Sequence, residues 1–127
     1  FDDEGNMDKK RILVIDDESS ITELMKINLE EQGYEVCVAF NGFEAVEKIK
    51  QKKPDLITLD LLLPDVDGLS LLKFFQEKDE TKNIPVIIVS IFGDEKDLVE
   101  KGYKIISIMP KPINFPKLQN NIKQILS

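Results

Sequence analysis

Five short apolar runs, separated by stretches of helical periodicity, constrain this 127-residue chain more than any other feature. The runs fall at residues 11–15, 35–39, 56–59, 85–89 and 105–109. The fourth is the most β-branched, and branched side chains favour extended backbone. Residues 19–32 place Ile21, Leu24, Met25, Ile27 and Leu29 mostly on one helical face, with Gly33 as the C-terminal stop. Asn41-Gly42 turns the chain into a second helix at 43–52, with Ala45, Val46 and Ile49 inward, and Pro54-Asp55 stops it. A third helix at 68–78 faces the core through Leu69, Leu72 and Phe75. The fourth, at 94–101, is short and charged and closes at Gly102. The last spans 115–126, capped by Asn114, with Pro116 near its start, where a missing N–H is harmless.

Strands alternating with helices predict a parallel sheet covered on both faces, and near-continuous apolar strands fit that burial. Five βα units in one domain are the size of a flavodoxin-like, doubly wound α/β fold. Such folds bind ligands at the carboxyl ends of their strands. Residues 1–9 are polar and acidic without periodicity. They read as a linker or a cut edge before a domain at 10–127, and the non-Met start suggests a segment of a longer protein.

The strand ends carry the chemistry. Asp16-Asp17-Glu18 follows the first strand and Asp60 the third; Ser90 ends the fourth, and Lys111-Pro112 follows the fifth. On one sheet edge the carboxylates would converge. They repel one another unless a cation neutralises them, and oxygen-only donors favour Mg²⁺ or a similar hard ion such as Mn²⁺. A carboxylate nucleophile, a hydroxyl donor and a lysine beside such an ion are the parts that phosphoryl transfer needs. Taken singly these residues have plainer readings. Asp17 or Ser19 would serve as a cap for the first helix, Ser90 as a turn residue and Lys111 as a solvated charge. Asp65 and Asp67 read as loop and helix-start residues. The Phe74-Phe75 pair reads as half core and half surface.

In the stretches ILVIDDE, PDLITLDLLLPDVDGL, PVIIVS and PKP, taken in order, the chain resembles the receiver domain of bacterial two-component response regulators. The resemblance runs from about residue 10 to the C-terminus. It implies a five-stranded sheet of order 2-1-3-4-5 and a phosphoacceptor at Asp60. It implies Mg²⁺ held by Asp16, Asp17, Asp60 and the backbone carbonyl of Leu62, with Ser90 and Lys111 contacting the phosphoryl group. The Lys-Pro peptide of the family is usually cis. The implied partner is a histidine kinase or phosphotransfer domain carrying phosphohistidine, and dimerisation is left open. Such a domain catalyses its own phosphorylation and is not a conventional enzyme. The run Ser90-Ile91-Phe92-Gly93-Asp94 is similar to receivers attached to hybrid sensor kinases.

Three departures from the family pattern stand out. Ile91 stands where many receivers carry Ala, and Ile108 where many carry Tyr or Phe. The run at 102–106 replaces the common Gly-Ala-Asp. Ile91 and Ile108 motivate an alternative reading, a pseudo-receiver that binds partners without taking phosphate. A flavin carrier of the same fold is disfavoured, because three acidic residues after the first strand would repel a flavin phosphate.

Bulk properties narrow the remaining classes. The net charge of −7 argues against direct contact with nucleic acid. No apolar run approaches the ~20 residues of a membrane span. With no histidine in the chain, a phosphohistidine has to come from a partner. Cys37 is the only cysteine, which excludes an intrachain disulfide and points to a reducing cytoplasm. Its place between Val36 and Val38 predicts a buried thiol.

Overall fold

A computed structural model describes residues 9–105 and 107–127. The linker expected at 1–9 lies almost wholly outside the described residues, as does Ile106 of the expected fifth strand. The strands are β1 (Arg11–Ile15), β2 (Glu35–Ala39), β3 (Leu56–Leu59), β4 (Val86–Ser90) and β5 (Ser107–Pro110). The helices are α1 (Ser19–Glu31), α2 (Gly42–Gln51), α3 (Gly68–Glu77), α4 (Glu95–Glu100) and α5 (Phe115–Leu126). They alternate throughout, and the five strands form one parallel sheet in the order β2-β1-β3-β4-β5.

Alternate strand residues feed two cores, as the two-residue period of a strand requires. Leu13, Ile15, Ile57, Leu59 and Ile88 face Ala45 of α2 and Leu71, Leu72 and Phe75 of α3. Ile12, Val14, Leu56, Ile87 and Met109 face Met25 and Leu29 of α1 and Leu118 and Ile122 of α5. Each fully buried Leu or Ile contributes about 1.5–3 kcal/mol, so the sheet is held hardest at its centre. No helix among the described residues is long and apolar enough to cross a membrane.

The α1 face differs from expectation. Its buried stripe is Thr22, Met25 and Leu29, while Leu24 and Ile27 are about half exposed. Thr22 is tolerated inside because its hydroxyl donates to Ser19 O at 3.0 Å. Cys37 is half-buried rather than buried, because β2 is an edge strand. The β4 boundary takes in Ser90, and β5 begins at Ser107 rather than Ile105.

Candidate functional site

Parallel register brings the strand ends to one edge. Ile15 lies opposite both Ala39 and Leu59, Leu59 opposite Ile88, and Ser90 opposite Pro110. The ladder then runs one step past the apolar strands. Asp16 N donates to Ala39 O at 3.0 Å, Asp60 N to Ile15 O at 2.9 Å, and Lys111 N to Ser90 O at 3.3 Å. Backbone bonds thus set the origin of each of these side chains.

Asp60 is the hub. Its Oδ1 accepts from Ser90 Oγ at 2.8 Å and from Leu62 N at 3.0 Å. Its Oδ2 accepts from Lys111 Nζ at 2.8 Å. Lys111 Nζ also reaches Asp16 Oδ2 and Glu18 Oε1, both at 2.8 Å. The Lys111-Pro112 peptide is cis. Carboxylate oxygens of Asp16, Asp17 and Asp60 all lie within 4.8 Å of one another. Asp17 and Asp60 line a cleft of about 320 Å³, together with Leu62, Ile91 and Lys111.

Electrostatics follow from the crowding. Burial pushes the Asp16 carboxyl above its ordinary range, against the pull of its bond from Lys111. Burial alone would lower the Lys111 pKa, but Asp16, Asp60 and Glu18 outweigh it and hold the ammonium above its usual value. Lys111 therefore stays charged at neutral pH and offsets part of the carboxylate repulsion.

Every residue singled out at the strand ends reaches this edge. Asp17 and Ser19 are not the cap of α1. The N-cap is Glu18, which makes no side-chain cap bond. Ile91, which stands where many receivers carry Ala, lines the cleft and is otherwise exposed. Ile108 packs against the α2–α3 core and approaches Gly93, whose φ is +122°. Phe75 is buried and Phe74 part-exposed, as their pairing suggests.

Two contacts were missed from sequence. Asp65 is more than a loop residue, because its carboxylate accepts from Gly42 N at 2.9 Å and Phe43 N at 3.0 Å. Those backbone bonds cap α2 from across the fold and lower the Asp65 pKa. Glycine eases the close approach, since a Cβ at residue 42 would sit 2.5 Å from Val66 Cγ2. The second missed contact is Glu18 to Lys111, for which the sequence offered only a third acid beside two others.

A sequence model of the response regulator receiver domain matches residues 12–123. This chain belongs to that family. The receiver is 34% identical over 120 residues to the polar-differentiation response regulator DivK of Brucella anthropi, covering 92% of this chain and 96% of DivK. It is 38% identical over 120 residues to the alkaline phosphatase synthesis transcriptional regulatory protein PhoP of Bacillus subtilis. That match covers 92% of this chain but only 48% of PhoP, so the receiver spans about half of that relative. Among solved structures, the receiver domain of a signal transduction histidine kinase from Syntrophus aciditrophicus matches with a TM-score of 0.82. The identity there is 32%, with 92% of this chain and 89% of the other covered. The domain is thus a receiver of two-component signalling with the flavodoxin-like order 2-1-3-4-5, and receivers of this kind work with histidine kinases or phosphotransfer proteins.

Proposed function

We propose that this receiver takes a phosphoryl group from a partner phosphohistidine onto Asp60, with Mg²⁺ or Mn²⁺ bound. What supports the reading most is the convergence on one carboxylate: Ser90 Oγ and Lys111 Nζ each bond Asp60 at 2.8 Å, with Asp16 and Asp17 beside it. In the transfer an Asp60 carboxylate oxygen attacks phosphorus in line. The P–N bond of the phosphohistidine breaks, and its electron pair stays on the imidazole nitrogen. Ser90 and Lys111 donate to the phosphoryl oxygens, over which the negative charge is spread.

Asp16, Asp17, Asp60 and the Leu62 carbonyl would hold the cation, and the mutual approach of three hard oxygen donors fits that ion. Once bound, Mg²⁺ offsets part of the charge on the transferring group. The acyl phosphate carries about −1.5 to −2 in place of the single carboxylate charge of Asp60, which draws Ser90 and Lys111 inward. Ser90 Oγ also accepts from Phe92 N at 3.3 Å. A shift of Ser90 therefore reaches the β4–α4 loop and biases the α4–β5–α5 face between two states.

Intact-mass measurement after incubation with acetyl phosphate or a small phosphoramidate plus Mg²⁺ tests this reading. A single phosphoryl adduct is expected, absent from Asp60→Asn. No adduct, or one that persists in Asp60→Asn, overturns it.

A further inference from the structure

We infer that Glu18 is a positioning residue: it gives the Lys111 ammonium a partner outside the trio Asp16, Asp17 and Asp60, and so eases its release from Asp16 and Asp60 when a divalent cation enters. The inference rests on the phosphoacceptor reading of the same site. Lys111 Nζ has three protons and three carboxylate partners, Asp16, Glu18 and Asp60, each at 2.8 Å. Two of the three belong to the trio whose oxygens lie within 4.8 Å of one another. A cation among that trio competes with the ammonium for the same two carboxylates, because two cations sharing them repel. Glu18 stands outside the trio. Its side chain is 55% exposed, against 3% for Asp16 and 5% for Asp60. It is the partner of Lys111 that an arriving cation leaves in place.

The start of α1 adds a second, independent observation. Glu18 occupies the N-cap, where short polar side chains are favoured because they reach back to a free N–H. Glu18 makes no such bond. Its carboxylate crosses instead to a lysine 93 positions away in sequence. Without it the ammonium retains, among the described residues, carboxylate partners only inside the trio, and it settles deeper, where the cation has to displace it.

Mn²⁺ titration followed by electron paramagnetic resonance, with no phosphodonor present, reads the effect. Glu18→Gln is expected to weaken Mn²⁺ binding by about two- to fivefold, the range of a part-exposed ion pair. Glu23→Gln removes the same charge from the exposed side of α1 and is expected to leave binding unchanged. In a Lys111→Met background the Glu18→Gln effect should shrink below about 1.5-fold, since the two residues act as one pair. An unchanged affinity with Lys111 present overturns the inference. So does a full effect that persists without Lys111, which would mean that Glu18 acts on the cation directly.

Phosphorylation separates this inference from the function it rests on. Glu18→Gln should raise the Mg²⁺ concentration for half-maximal adduct formation, while the rate at saturating Mg²⁺ stays within about twofold. A fall in the saturating rate with unchanged half-saturation counts against positioning. Absence of any adduct in the unmodified chain would defeat the phosphoacceptor reading, and the Mn²⁺ titration would still decide the role of Glu18.

Discussion

In β1, β3 and β4 every residue except Arg11 is buried, whereas in β5 Met109 alone is. The helices beside them differ in the same way. α3 buries Leu71, Leu72 and Phe75, while the six-residue α4 buries only Leu98 and leaves Val99 exposed. Ile91 and Phe92, between β4 and α4, are also exposed. The acidic edge thus grows out of the tightly packed half, and the α4–β5 side is loosely tied to it. Displacing a central strand opens cavities and breaks ladder bonds. Displacing α4 gives up few buried contacts, and such regions sit at the low end of local stability. The difference suits a domain whose chemistry needs fixed atoms and whose readout needs a movable face.

The largest test of that contrast is a matched pair of truncations. Leu59→Ala, at a fully buried site in β3, should destabilise by about 3 kcal/mol in urea unfolding. Val99→Ala on α4 should stay within about 0.5 kcal/mol. Comparable losses at both sites would break the comparison. Next comes Gly68, at the start of α3. A Cβ there would lie 2.4 Å from Leu61 Cα, and that backbone directly follows Asp60. Gly68→Ala should therefore cost about 2 kcal/mol through overpacking, and an unchanged unfolding midpoint would show that the loop beside Asp60 is as yielding as α4.

Cation linkage follows in size. Mg²⁺ at about ten times its dissociation constant should raise stability by about 1.4 kcal/mol. Asp17→Asn should abolish that gain, and it should raise the metal-free melting temperature by relieving repulsion among the three carboxylates. A melting temperature insensitive to Mg²⁺ in the unmodified chain would contradict the cation assignment.

The smallest effect belongs to Asp65→Ala. Its loss of two backbone bonds at α2 should cost about 0.5 kcal/mol, the low end of capping effects because the carboxylate is solvated. The folded pKa of Asp65 is lowered from 3.8. Its contribution is therefore present above that value and is lost as pH falls through the lowered folded value. Unfolding curves of the two proteins should differ at neutral pH and converge at the acid end of that window.

Much of this molecule is legible along the chain because its information is local. The α5 boundaries follow from Asn114, Pro116 and an amphipathic stripe, and they match residue for residue. The strand ends follow from where the apolar runs meet acids, and Asp16 and Asp60 stand there. Misreadings came where a neighbour in space, rather than in sequence, decides. The apolar residues of α1 spread round more of the helix than the sheet covers, so Leu24 and Ile27 face outward while Thr22 goes in. Cys37 has an apolar strand context, yet β2 has a partner strand on one side only.

The order of residues along the chain is enough to specify the alternation of strands and helices, the single parallel sheet they require and the acids at its carboxyl edge. Periodicity and turn chemistry operate over a few residues, so one sequence suffices to read them. How the charges are shared depends on the folded chain. Lys111 bonds Asp60 and Glu18 across 51 and 93 positions, and Asp65 reaches Gly42 across 23. Partners so far apart meet only after sheet register has placed every strand end. The division of one ammonium among three carboxylates is therefore a property of the assembled edge.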